Sequence, residues 1–203
     1  MVEQRGDWEE LVASSAAVST LAIELSALSQ EELPDLTTFL LRDPSMPFHY
    51  VGVHAPSKGL NGDERGRVRA LTELPARVRS IIVHPDTMKD LDAWSVLGRR
   101  LVIENMDARR PSGQTADQLA GLFDALPLAG LCFDIAHAKH VDPSLEGGRA
   151  ILDRFSDRLR QVHLSSLDED GHHVRLTDED EELFTPLLER CRDVPWILEA
   201  PLR

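Results

Sequence analysis

The chain has 203 residues, 42% of them hydrophobic and 28% charged, and its 35 acidic against 22 basic side chains give a formal net charge of -13. At about 150 residues per domain, residues 1–203 read as a single globular domain rather than a disordered chain, and no apolar run reaches the roughly 20 residues that cross a bilayer. The negative charge repels nucleic-acid phosphates, which argues against DNA or RNA as a partner.

A helix-like stretch, Asp7–Ala16, comes first, and seven β-rich runs follow: Thr20–Leu25, Tyr50–Val53, Ser80–Val83, Arg100–Ile103, Gly130–Phe133, Arg160–Leu164 and Pro195–Leu198. Most are short and apolar without strict alternation, the pattern of strands buried on both faces of a parallel sheet. Between them Ser29–Glu32, Thr115–Gln118 and Thr177–Asp180 resemble capping boxes, the last with Asp in place of Glu, and each marks a helix start. Asp86, after His84 and Pro85, is a further candidate cap. Strand and helix in repeated alternation require right-handed βαβ units, in either a doubly wound sheet or a (β/α) barrel. Trp8, Trp94 and Trp196 are scattered and read as packing residues.

The ends of the runs decide between the two architectures. His54, His84, Glu104, Asp134 and Glu199 each follow the last apolar residue of a run, while Glu24 and His163 lie within theirs. In a barrel all strand C-termini open at one mouth, so these seven side chains converge; an open sheet spreads them along an edge. No Gly-x-Gly-x-x-Gly turn follows the first run, which also counts against a dinucleotide fold. The expected fold is therefore an α/β TIM-type barrel, and an incomplete one. Seven strands are evident where a full barrel has eight, with the first strand and the last helix missing. The strand edge left open is an aggregation liability, so a second copy of the chain, forming a homodimer, or the N-terminal segment is expected to cover it.

The two cysteines, Cys132 in an apolar run and Cys191 among charges, form no Cys-x-x-Cys pair, and Met1–Asp7 lacks the apolar core of a leader. A cytoplasmic location is expected. With no thiolate cluster, the set His54, His84, Glu104, Asp134, His137, His163, His173 and Glu199 suits a divalent ion such as Mn or Zn. Burying that many ionisable groups without a cation is costly.

The segments Val53-His-Ala-Pro56, Val83-His-Pro85, Ile103-Glu-Asn105, Phe133-Asp-Ile-Ala-His137, Val162-His163, His172-His-Val174 and Leu198-Glu199 resemble the xylose isomerase-like barrel superfamily, over roughly residues 20 to 200. That superfamily holds sugar isomerases and epimerases and the endonuclease IV group. The resemblance to its sugar-converting branch implies one ion held by Glu104, Asp134, His163 and Glu199. It also implies an enediolate stabilised by that ion, and proton transfer by Glu104 and Glu199 on a small sugar or keto-polyol. His137 would orient the substrate, and Lys58, in the loop Ser57–Gly62, would meet a phosphate or carboxylate unless it is simply a solvated loop residue.

The endonuclease IV branch implies a zinc cluster of up to three ions, with His54, His84, His137 and His173 as additional ligands, and phosphodiester hydrolysis. Its ninth ligand is an Asp where this chain has Gly171, so Asp168 or Asp170 would have to substitute. A non-catalytic barrel that binds a ligand is the third reading. Of the adjacent pair His172 and His173, an extended chain turns only one inward, and His173 is expected there. His49 and His140 are expected to face solvent. Asn105 is read as contacting a ligand or forming a turn, and Arg109–Arg110 as an anion site or a solvated surface.

Overall fold

The computed structural model describes residues 6–200; most of the Met1–Asp7 segment read above, and the chain end at Arg203, lie outside the described residues. Seven parallel strands form one sheet in chain order: β1 (Ala22–Ser26), β2 (Tyr50–His54), β3 (Val78–Val83), β4 (Leu101–Glu104), β5 (Gly130–Asp134), β6 (Leu159–Leu164) and β9 (Trp196–Leu198). Between β6 and β9 the short strands β7 (Ser166–Leu167) and β8 (His173–Val174) pair as an antiparallel hairpin, which the apolar runs do not announce.

The sheet curls until Cα atoms of β1 and β9 come within 8 Å of each other, yet the two strands do not pair. Two interstrand spacings amount to about 9.6 Å, so no eighth strand fits between them. The result is the incomplete TIM-type barrel expected from the sequence, nearly closed and with one seam unsealed. Ahead of β1 the described chain forms a helix, α1 (Trp8–Ala16), capped by the Asp7 carboxylate.

Side chains alternate along each strand. Val51, Val53, Ile81, Val83, Leu101, Ile103, Leu131, Phe133, Val162 and Leu164 belong to the main core between barrel and helices. The intervening set, which includes Gly52, His54, Ser80, Glu104, Asp134, Gln161 and His163, therefore turns inward. There Ile82, Val102 and Cys132 make only a small separate apolar cluster. Each fully buried Leu, Ile or Phe on the outer side contributes about 1.5–3 kcal/mol, and this offsets an interior given over to polar groups.

The outer helices are α2 (Leu33–Leu41), α3 (Glu64–Thr72), α4 (Leu91–Ser95), α5 (Ala116–Ala125), α6 (Ile135–Val141), α7 (Glu146–Phe155) and α8 (Asp178–Leu188). Thr115 and Thr177 cap α5 and α8 through their hydroxyls, as their spacing predicts. The Ser29–Glu32 box opens a single 3₁₀ turn that leads into α2. Asp86 is not a cap: its Oδ2 accepts from Arg110 Nη1 at 3.1 Å, and Asp90 caps α4 instead. Trp8 and Trp94 are buried, whereas Trp196 is 40% and Leu198 47% exposed on the outer side of β9. Among the described residues no helix follows that strand. Nor, among the described residues, is any helix long and apolar enough to cross a membrane.

Candidate metal centre

The mouth of the barrel gathers the strand-end residues into one buried cluster. Glu104, at the end of β4 and only 1% exposed, lies at its centre. Its Oε2 is 3.3 Å from His54 Nε2 and 3.1 Å from His84 Nε2, and its Oε1 is 3.0 Å from His163 Nδ1. Burial alone would raise the Glu104 carboxyl, but the charge and hydrogen bond of His163 and the bonds from His54 and His84 hold it well below its ordinary range. His54 moves the other way, to about 9, because the bond and charge of Glu104 outweigh the effect of burial.

Asp134 ends β5 and caps α6, its Oδ1 accepting from the His137 backbone N–H at 2.7 Å. Its other oxygen, Oδ2, is buried with no hydrogen-bond partner, as is His84 Nδ1. Asn105 hydrogen-bonds one of the candidate ligands from behind: its amide brackets the Asp134 backbone, accepting from that residue's N–H and donating to its carbonyl, each at 2.8 Å. This fixes the angle at which Asp134 enters the site.

Glu199, just past β9, is the open member, its side chain 20% exposed. Its Oε1 lies 3.1 Å from His163 Nδ1 and its Oε2 3.4 Å from His173 Nδ1. Burial, reinforced by the neighbouring Glu104, Asp134 and Glu24 carboxylates against the pull of His163, pushes Glu199 up to about 8. Burial is the main cause, and a cation beside the carboxylate would oppose it.

Ligand atoms of Glu104, Asp134, His163 and Glu199 all lie within 4.8 Å of one another, and those of His54, His84 and Glu104, and of Asp134, His137 and His173, form two further groups of the same reach. Asp134 Oδ2, without a hydrogen-bond partner and 3.5 Å from His137 Nδ1, and the crowded carboxylates and imidazoles fit a metal ion. These groups could hold a metal ion. His137 sits beside His173, ring centroids 5.2 Å apart, and its Nδ1 meets the Asn105 carbonyl at 3.0 Å. His172 is exposed and faces Asp168, so His173 is the inward member of the pair. Lys58 is exposed, in a loop whose backbone bridges to Ser29, and is not part of the cluster.

Glu24 converges on the cluster as expected, whereas the layer that holds it, Gln161 and Tyr50, is not announced by the strand ends. Glu24 on β1 accepts from His163 Nε2 at 3.1 Å and from Gln161 Nε2 at 2.6 Å, and Gln161 Oε1 accepts from the Tyr50 hydroxyl at 2.6 Å. Cys132 brings a thiol within 4.8 Å of Glu104 and His163, and burial pushes that thiol far above its usual range. A Glu and a Gln inside apolar runs are the one sequence signal for this layer.

Near the rim, Arg109 grips Asp107 with Nε and Nη2, both at 2.9 Å, and donates Nη1 to the Asp170 carbonyl. Arg109, with a side chain 45% exposed, stays solvated while it clips the loop after β4 to the β7–β8 hairpin. Burial raises Asp107, but the Arg109 and backbone hydrogen bonds prevail and hold it down at about 2. His140 is not freely solvated either: its ring stands 3.8 Å from Asp107 Oδ1, with Nδ1 buried.

No family model matches the chain, and no curated protein matches it in sequence. Its fold is similar to that of a chain in the crystal structure described as AsfvAP:AG, with a TM-score of 0.52 and 11% identity over 90% of this chain and 79% of that one. It is also similar to YcjR from E. coli, a 3-keto-D-glucoside 4-epimerase in its apo form, with a TM-score of 0.50 and 13% identity over 91% and 92% of the two chains. At such identities the likeness is one of fold: an α/β barrel of the kind that a sugar epimerase uses.

Proposed function

We propose that the chain is a divalent-metal-dependent isomerase or epimerase acting on a small sugar or keto-polyol. The observation that carries this reading is the buried Asp134 Oδ2, which accepts no hydrogen bond, in a cluster where ligand atoms of Glu104, Asp134, His163 and Glu199 lie within 4.8 Å of one another. The likeness in fold to a keto-glucoside epimerase supports the substrate class. A divalent ion on these four residues supplies a Lewis acid for the carbonyl and neighbouring hydroxyl oxygens of such a substrate, which makes the adjacent C–H acidic enough for a carboxylate to remove.

The geometry gives the two glutamates unequal parts. Glu104 is 1% exposed and engaged by three imidazoles, so it anchors the cluster. Glu199 is open to the mouth and takes and returns the proton. His137 and His173 line the same mouth and orient hydroxyl groups.

The direct test is hydrogen exchange into a panel of small ketoses in D₂O with Mn²⁺, Zn²⁺, Co²⁺ or Mg²⁺, followed by NMR. Wild type is expected to incorporate deuterium next to the carbonyl, and Glu199→Gln to lose about 10²–10⁴-fold in rate with its circular dichroism unchanged. Absence of exchange with every metal and ketose would sink the proposal.

One observation favours a second reading, a multinuclear hydrolase of phosphodiesters: the three ligand groups overlap through Glu104 and Asp134, as adjacent ion sites would. Two or more ions per chain by elemental analysis would support it, and one ion would support the isomerase.

A further inference from the structure

Resting on the isomerase reading above, we propose that the open fork of Arg110 receives the far end of the substrate, and that this end is an anion, a carboxylate or a phosphate, on a small keto-polyol. Two arginines stand side by side in the loop after β4, and they are engaged differently. Arg109 directs its Nε–Nη2 edge at the two oxygens of Asp107 and its Nη1 at the Asp170 carbonyl. Arg110 donates through Nη1 alone, to Asp86 Oδ2 at 3.1 Å. Its Nε and Nη2 meet no acceptor among the described residues and are not among the buried orphaned atoms, so that edge is open to solvent. It is the edge that takes a carboxylate or phosphate with two parallel hydrogen bonds.

The guanidinium is placed by its surroundings. Its side chain is only 29% exposed. The Arg110 backbone N–H donates to the Asp107 carbonyl at 3.1 Å, and its own carbonyl accepts from Gln114 Nε2. Gly113, at φ +84°, carries the loop so close to the turn after β3 that an added Cβ would stand 2.3 Å from Pro85 Cγ. Asp86, the next residue, is thus brought to Arg110. His84, just before that proline, reaches Glu104 Oε2 with its Nε2 at 3.1 Å. The fork therefore borders the cluster on its β3 side. Lys58, to which the resemblance gives this role, lies exposed in a loop bridged to Ser29.

Asp86 balances the charge of Arg110, so long-range attraction for an anion is small and the preference comes from the direction of the two remaining hydrogen bonds. A lysine at this position keeps the charge and loses the fork. A substrate gripped at its far end is fixed in direction as well as in place, which is what proton removal at one carbon needs.

The experiment titrates the full chain, with Zn²⁺ in the buffer, against glucitol, gluconate and glucitol 6-phosphate, which share a polyol and differ in one end group. Wild type is expected to bind at least one of the anions about 10–100-fold more tightly than glucitol in calorimetry, and the larger gain names carboxylate or phosphate as the group. Arg110→Gln and Arg110→Lys are both expected to lose most of that ratio with their circular dichroism unchanged. An anion preference that is absent from wild type, or that persists in either folded variant, overturns the proposal. Should neither variant fold, wild-type amide shifts decide: perturbation by the anions centred on residues 84–86 and 107–114 supports the site, and perturbation centred elsewhere overturns it. The titration needs no turnover. Failure of deuterium exchange with every ketose therefore removes the isomerase reading, while the end-group ratio still reports on Arg110 by itself.

Discussion

Among single residues, the chemistry was most legible where an ionisable group interrupts the end of an apolar run. Glu104, Asp134 and Glu199 stand out for that reason, since a charged side chain directly after buried aliphatics has to find a partner or a cation. Gln161 was harder to assign. Its place beside Glu24 depends on the stagger between β1 and β6, and alternation along one strand does not specify stagger between two. Arg109 shows the same limit: a doublet of arginines reads as surface until the hairpin it clips is known.

Gly171 turns this into a prediction. It adopts φ +74°, and an added Cβ would stand 2.4 Å from the Arg109 guanidinium carbon. Gly171→Ala is expected to cost about 1–3 kcal/mol through backbone strain, read as a lower denaturation midpoint. The residue that the endonuclease IV pattern replaces with Asp is therefore held as glycine by its neighbour. An unchanged midpoint would show that the hairpin gives way freely.

Among elements, strand existence followed from the runs, and boundaries moved by one to a few residues. The β7–β8 hairpin escaped notice because two residues per strand are too few for a period to show. Three side chains of α3 reach α4 and its cap: Arg65 donates to Asp90 at 2.7 Å, Arg67 lies over the Trp94 ring, and Glu64 makes the densest set of bonds. Glu64 Oε1 accepts from the backbone N–H of Lys89 and Asp90 and from Trp94 Nε1. Burial opposes the charge, but the bond from Trp94 and the two backbone bonds prevail and lower the Glu64 carboxyl below its ordinary range.

A carboxyl lowered on folding stabilises the folded state above its ordinary titration range, and that stabilisation is lost as pH falls through the folded value. Glu64→Ala is expected to destabilise by about 1.5–3 kcal/mol at neutral pH, the range for hydrogen bonds to a charged group. The gap between wild type and Glu64→Gln should close on acidification. A gap that stays constant with pH in thermal melts would assign the effect to shape rather than charge.

For the whole molecule, electrostatics and fold point the same way. The chain carries a formal net charge of -13, and its mouth gathers Glu104, Asp134 and Glu199, which favours a cation there. A site that binds an ion only when folded stabilises the fold by about 2.7 kcal/mol at a hundredfold excess over Kd. Mn²⁺ or Zn²⁺ should therefore raise Tm by several degrees, a chelator should reverse the rise, and Asp134→Asn should abolish most of it. A melting temperature indifferent to both additions would mean that the cluster is satisfied by its own protons.

The gap between β1 and β9 has a dynamic consequence. Each of these strands has a single neighbour, so the main-chain amides directed across the gap lack a ladder partner, unlike those of β4 or β5 with a strand on either side. Amide deuteration followed by mass spectrometry should label the two terminal staves first and the middle of the sheet last. Glu24 and Glu199 sit on those two staves. The cylinder thus opens along a line beside its own chemistry, and a bound cation, touching Glu199 on one side and His163, the partner of Glu24, on the other, would act as a clasp across that line.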